Sequence, residues 1–275
     1  MKLLTPDAQK PTVAVGGLGA IGYTVAEWLD CEDSGLELAA VSARDLERAG
    51  TRTARFRAPP VVVPPEELSR WQIVVEAAPA AAFESIVVPA LERGRTLAIA
   101  SAGALLARPH LLERARRTGA SIIVPSGALA GLDAIRAVVM GNVDSVVLET
   151  RKPPGSLAGA PYLARNAIDL RAITSAICVF RGNASEAAAG FPANANVAAA
   201  LALAGIGPER TQVEIWADPA LERNRHTVRV VADSATLAFC IESVPSPANP
   251  RTSRLAALSM IACLQGLVAP LKVGS

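Results

Sequence analysis

Glycines 17, 19 and 22 form the run Gly17-Leu18-Gly19-Ala20-Ile21-Gly22, which matches G-x-G-x-x-G. In such a run the first glycine permits a tight turn, the second lets backbone amides approach a pyrophosphate, and the third allows the following helix to pack closely on the strand. The phosphates sit at the positive end of that helix, so Ala20 and Ile21 join Gly17, Gly19 and Gly22 as candidate cofactor contacts. A short apolar strand, Thr12 to Val15, precedes the motif, and apolar residues at helical spacing, Tyr23 to Leu29, follow it. That context separates a dinucleotide site from a plain glycine turn.

The same fingerprint expects a carboxylate on the ribose about 20 residues further on. Here the end of the second strand reads Val41-Ser42-Ala43-Arg44-Asp45, with no carboxylate at the expected position. Ser42 and Arg44 instead offer a hydroxyl and a cation suited to a 2′-phosphate, so NAD and NADP both remain open. The alternative for Arg44 is a side chain pointing into water.

Proton transfer near neutrality is the other chemistry in view, and histidine performs it with an unperturbed pKa of roughly 6.5. The chain has two histidines. His110 belongs to a charged helical pattern and reads as an exposed bystander. His226 begins an amphipathic strand, where it is either a catalytic group facing a cleft or a hydrogen-bonded strand histidine.

The elements that must position these residues change character along the chain. LELAAVS (36–42), IVVEAAP (73–79), TLAIASAG (96–103) and ASIIVPSG (120–127) are near-continuous apolar runs, as strands buried on both faces of a parallel sheet are. Helical patterns, FESIVVPALERG and LLARPHLLERARRTG, lie between them, so the first half alternates β and α. Beyond residue 140, DSVVLETRK, TQVEIWAD, RHTVRVVAD and ATLAFCIES alternate apolar and polar residues with period two. The last two flank a tight turn near Asp233 and Ser234, which predicts an antiparallel hairpin.

The expected fold is therefore α/β. An N-terminal Rossmann dinucleotide-binding domain over 1–138 is completed by 250–275, and a mixed α+β domain spans 139–249. The Pro-rich link VPSPANPRTS leads into an apolar helix, SRLAALSMIACLQGLV, predicted to return to the first domain.

Composition narrows the classes further. Of 275 residues 51% are hydrophobic and 19% charged, with a net charge of +2, which gives no electrostatic case for nucleic acid binding. The basic run RARRTG (114–119) reads as a solvated helix face. Four cysteines without C-x-x-C spacing read as reduced, buried thiols, and no His/Cys/Asp cluster has metal-ligand spacing. MKLLTPDAQKP lacks the apolar stretch of a secretory signal, and ANANVAAALALAGIG is too short to span a bilayer, so a cytoplasmic protein without membrane attachment is expected.

The fold alone does not choose a reaction. A thioester mechanism requires a cysteine nucleophile, but the segment after the last Rossmann strand reads Pro125-Ser126-Gly127-Ala128-Leu129-Ala130-Gly131. The paired-histidine motif of dihydrodipicolinate reductases is also missing. PSGALAGLDAI (125–135), TRKPP (150–154), FPANANVAAALALAGIG (191–207), NRHTV (224–228) and NPRTSRLAALS (249–259) together closely resemble the L-aspartate dehydrogenase family, in order and over essentially the whole chain.

That resemblance implies oxidation of L-aspartate by NAD or NADP to iminoaspartate, which hydrolyses to oxaloacetate and ammonia or feeds quinolinate and hence NAD synthesis. It implies His226 as the catalytic residue, Ala130 and Asn196 as further cofactor contacts, and a homodimer, with the 139–249 domain carrying catalysis and dimerisation. Two substrate carboxylates require cationic or amide donors. Lys152, at a strand end before Pro153-Pro154, and Asn249, before Pro250, are the candidates, with a turn lysine and a loop or cap residue as the alternative readings. Asn196 could cap a helix instead of touching nicotinamide. Two other functions use the same features: reduction of another small dicarboxylate or imine, separated by substrate profiling, and nucleotide sensing without turnover, separated by the absence of hydride transfer.

Overall fold

A computed structural model of the chain describes residues 10–31 and 34–274. The leader reading of MKLLTPDAQKP falls on residues 1–9, outside the described residues. The chain divides into two compact units. The first holds the chain up to Ile99, together with His110–Ile123 and Met260–Pro270. The second holds Ala100–Pro109, Val124–Ser259 and the residues from Leu271 on.

The first unit runs β1 (Thr12–Gly16), α1 (Ala20–Leu29), β2 (Glu37–Ser42), α2 (Leu46–Thr53), β3 (Val61–Val62), β4 (Ile73–Glu76), α3 (Phe83–Glu92) and β5 (Thr96–Ile99). After α4 (Ala102–Leu106), which belongs to the second unit, come α5 (His110–Thr118) and β6 (Ser121–Ile123). Its sheet is wholly parallel in the order β3-β2-β1-β4-β5-β6. Val13, Val15, Val74, Val75 and Ala98 are fully buried, which is why these runs carry no polar alternation. The strand order reverses beside β1, and a doubly wound sheet binds ligands at the strand ends of such a switch point.

The second unit contains α6 (Leu132–Val138), β7 (Val143–Lys152), α7 (Pro161–Arg165), β8 (Ile177–Asn183), α8 (Ala184–Gly190), α9 (Asn196–Ala204), β9 (Thr211–Ala217), β10 (Asn224–Ala232) and β11 (Thr236–Ser243). A short hairpin, β12 (Pro245–Ser246) and β13 (Asn249–Ser253), occupies the Pro-rich link. The mixed sheet has the order β11-β10-β7-β9-β8, with β7 and β9 parallel and the other pairs antiparallel. The predicted hairpin is β10–β11, closed by Ala232 N–H donating to the Ala235 carbonyl at 3.0 Å.

One face of this sheet is the core. Val146 and Leu148 of β7, Val213 and Ile215 of β9, and Val228 and Val230 of β10 cluster with the alanines of α8 and α9. Small side chains let those helices lie close to the strands. Tyr162, Phe180 and Phe191 form an aromatic cluster with ring centroids 5.1 to 5.6 Å apart.

The apolar C-terminal helix is α10 (Arg254–Val268), and Met260 and Leu264 are buried where Met260–Pro270 joins the first unit. The cysteines correct the sequence reading: all four are free thiols, but Cys31 and Cys240 are exposed and Cys178 and Cys263 only half-buried. Cys240 lies on the outward phase of β11, whose residues from Thr236 to Glu242 alternate between exposed and half-buried positions. No helix among the described residues is long and apolar enough to cross a membrane.

Candidate functional site

In the first unit the glycine turn leaves β1 at the switch point. Gly17 has φ +94°, and a Cβ there would stand 2.5 Å from the Ala77 carbonyl oxygen. At Gly22 a Cβ would stand 1.8 Å from the Gly17 carbonyl oxygen, so the helix approaches the turn as closely as backbone permits. At Gly19 a Cβ would meet nothing within 4 Å, leaving the mouth of the turn open. Helix α1 has no side-chain cap and no acidic residue in its first turn, which leaves its N-terminal amides for an external anion.

Ser42 ends β2, and its carbonyl accepts from Gly17 N–H at 2.7 Å, joining strand end to turn. Its side chain is 1% exposed and its Oγ has no hydrogen-bond partner. Arg44 is exposed and makes no ion pair among the described residues. Asp45 is committed elsewhere: its carboxylate accepts from Arg48 N–H at 2.9 Å and caps α2. An open glycine mouth, an uncapped helix and an orphaned hydroxyl at the strand end fit a dinucleotide with its ribose at Ser42. Sequence reasoning missed Arg52, whose guanidinium donates to the Leu18 carbonyl at 2.6 Å and lies 4.0 Å from the Tyr23 ring centre, bracing the turn.

In the second unit His226 is 2% exposed, and β10 places it directly opposite Thr150 of β7. Thr150 Oγ1 and His226 Nδ1 are 3.1 Å apart. Two residues along β7, on the same face, Lys152 is 6% exposed, and its Nζ donates to Asn194 Oδ1 at 2.7 Å. Phe191, locked in the aromatic cluster, begins the Pro192–Asn194 turn that presents this amide. A cavity of about 10 Å³, room for roughly one water, lies against Thr150, Lys152 and Asn194.

The electrostatics follow from burial without a carboxylate. Desolvation lowers the Lys152 ammonium to about 8. Desolvation first, and the neighbouring Lys152 charge second, lower His226 to about 3. The imidazole is therefore neutral across the physiological range. Lys152 makes no ion pair among the described residues, so a buried cation faces only a neutral amide.

The structure thus brings Lys152 and His226 into one polar patch and adds Thr150 and Asn194, which the sequence reading lacked. The alternative of a solvated turn lysine does not hold for Lys152. The period-two phase of β7 puts Thr150 on the Lys152 face, but nothing local in sequence aligns it with His226. Asn249 is exposed on β13, in a separate two-stranded sheet. Asn196 does serve a cap, though not of its own helix: its Oδ1 accepts from Gly103 N–H of α4 at 3.0 Å. Ala130 is exposed, next to Gly131, whose φ of +73° and nearness to the Phe239 ring exclude a side chain. His110 is exposed at the start of α5. No group of three or more His, Cys, Asp or Glu among the described residues is placed to hold a metal.

The chain is similar to known proteins over most of its length. The family model described as "Homoserine dehydrogenase, NAD binding domain" matches residues 17–125, and that described as "Aspartate dehydrogenase, C-terminal" matches residues 133–267. The chain is 47% identical to L-aspartate dehydrogenase 3 of Bordetella bronchiseptica, over 96% of this chain and 97% of that one. It is 42% identical to the L-aspartate dehydrogenase of Methanocella arvoryzae, over 96% and 99%. Among solved structures, aspartate dehydrogenase from Thermotoga maritima superposes with a TM-score of 0.73 at 27% identity, covering 97% of this chain and 100% of that one.

Proposed function

The chain belongs to the aspartate dehydrogenase family, and from that premise we propose that it oxidises L-aspartate with NAD or NADP to iminoaspartate, which hydrolyses to oxaloacetate and ammonia, and that it also runs the reverse amination. The observation that carries this reading is the buried pair of His226 and Lys152, a neutral imidazole beside a cation that lacks a carboxylate.

Lys152 holds one substrate carboxylate by a charge-assisted hydrogen bond. The arriving negative charge offsets the lysine cation and raises the proton affinity of His226 from its low resting value. His226 then takes a proton from the substrate ammonium, because an amine gives up hydride from Cα only when neutral. A bound nicotinamide supplies the hydride acceptor. The protonated His226 next gives its proton to water, and the neutral imidazole takes a proton from the water that attacks the iminium carbon; His226 passes that proton to the carbinolamine nitrogen, which leaves as ammonia while the carbinolamine hydroxyl loses its proton to water as the carbonyl forms. Thr150 holds the Nδ1 side of the ring, which leaves Nε2 for these transfers.

Gly17, Gly19, Gly22, Ala20 and Ile21 are assigned to the pyrophosphate, Ser42 and Arg44 to the adenine ribose, and Ala130 and Asn196 to the nicotinamide side. Asn249 is kept as a further amide donor to the substrate. The first unit accordingly binds the nucleotide and the second carries the deamination chemistry. We take the protein to act in the cytoplasm as a homodimer. Light scattering tests the dimer.

The direct test of the reaction is reduced nicotinamide formed from L-aspartate, with an equal amount of ammonia released. Turnover of L-malate in place of L-aspartate would replace this reading by a hydroxy-acid oxidation.

A further inference from the structure

Among the described residues, two buried side-chain polar atoms have no hydrogen-bond partner: Ser42 Oγ and Ser243 Oγ. A buried hydroxyl without a partner is costly and calls for an explanation. Ser42 has one in the cofactor site assigned above. Ser243 ends β11 and is 4% exposed.

The strand registers place Ser243 in company with chemistry. It pairs with Asn224 of β10. Asn224 precedes Arg225, which pairs with Arg151 of β7, so Asn224 stands beside Lys152, the residue after Arg151. Lys152, Asn224 and Ser243 therefore form one row across three adjacent strands, with Thr150 and His226 in the next row. Strand alternation puts Ser243 on the same face as Phe239 and Ile241, which pack on the core. Glu242 faces the other way and pairs with Arg225. The Asn224 amide makes no hydrogen bond among the described residues.

This row is rich in donors and contains no carboxylate. It holds an ammonium at one end, an amide in the middle and a hydroxyl at the other, with the end strands about 10 Å apart. Lysine alone accounts for one carboxylate. We propose that Ser243, aided by Asn224, binds the second carboxylate of a dicarboxylate amino acid and so determines preference for a diacid over a monoacid. This rests on the proposed function for the identity of the substrate, but the subsite itself is defined by the row.

The test is Ser243→Ala in the full chain, read by calorimetric binding of succinate and of propionate and by kinetics with L-aspartate and L-2-aminobutyrate. A hydrogen bond to a charged group is lost, so succinate affinity is expected to fall and the KM for L-aspartate to rise, each roughly ten-fold or more. Propionate binding stays level, kcat falls less than KM rises, and the preference for aspartate over 2-aminobutyrate drops. The melting temperature holds or rises, because an unpartnered hydroxyl has been removed; a purely structural serine would lower it. Unchanged succinate affinity and unchanged aspartate KM would overturn the proposal. Wild-type protein that binds succinate through Ser243 but leaves L-aspartate unoxidised would uphold the subsite and remove the proposed reaction.

Discussion

Thr150 and His226 face one another across the β7–β10 ladder, Oγ1 3.1 Å from Nδ1, inside the second unit's sheet. A hydroxyl has one hydrogen, and the direction in which it is given sets the imidazole tautomer and hence whether Nε2 accepts or donates. Thr150→Val keeps the shape and removes the bond. It is expected to lower kcat roughly ten-fold with little change in KM, and Thr150→Ser is expected to restore most of the loss. Steady-state kinetics of the two variants check this, and near-normal turnover in Thr150→Val with a loss in Thr150→Ser would show that the methyl group matters rather than the hydroxyl.

His226→Ala removes the proton-transfer group itself. Turnover is expected to fall by about 10² to 10⁴, while cofactor affinity measured by nicotinamide fluorescence stays near the wild-type value. A variant with near-normal turnover would take His226 out of the mechanism.

The depressed His226 pKa has a consequence for stability. As pH falls from roughly 6.5, the unfolded chain takes up a proton at this histidine while the folded chain refuses it down to about 3. Folding stability is thus lost progressively through that window, with the full contribution present above it. Lys152 behaves alike at higher pH: between its folded value of about 8 and its ordinary value of 10.5 only the unfolded chain stays protonated, so stability rises with pH there. Urea denaturation of wild type and His226→Gln at pH 7 and pH 5 measures the first effect. The wild type should lose more stability than the variant on acidification, and identical losses would show that the histidine is solvated.

The strand end at Ser42 bears on cofactor choice. Arg44→Ala is expected to raise the KM for NADP several-fold with little effect on NAD, since the arginine meets only a 2′-phosphate. Ser42→Asp places a carboxylate where the ribose hydroxyls lie and should shift preference toward NAD. Competition by 2′,5′-adenosine bisphosphate against 5′-AMP reads the same contact without turnover, and equal inhibition by the two would remove Arg44 from the site.

What the sequence disclosed was local. The run Gly17 to Gly22 and the apolar strands around it fix a switch-point turn within a few residues, and the β10–β11 hairpin follows from the turn at Asp233 and Ser234. β3 escaped notice because it is two valines among prolines, with no period to read. β12 and β13 escaped because their prolines read as a link. The exposure of Cys240 is not legible in its apolar run, because that run forms an edge strand with one phase turned outward. The contacts that make the site are not local at all. Thr150 meets His226 across 76 residues and Asn196 meets Gly103 across 93. Strand register and helix packing create those neighbours, and neither is written in any short segment. The orphaned hydroxyls of Ser42 and Ser243 appear only once burial is known.

Hydride transfer to a dicarboxylate by this protein should depend on ammonium. The most direct measurement mixes the purified protein with oxaloacetate and NADH or NADPH, with and without ammonium, and follows the reduced-nicotinamide absorbance. Absorbance is expected to fall only when ammonium is present, with L-aspartate as product. Equal loss without ammonium, giving malate, or no loss with either cofactor while both bind, would contradict it.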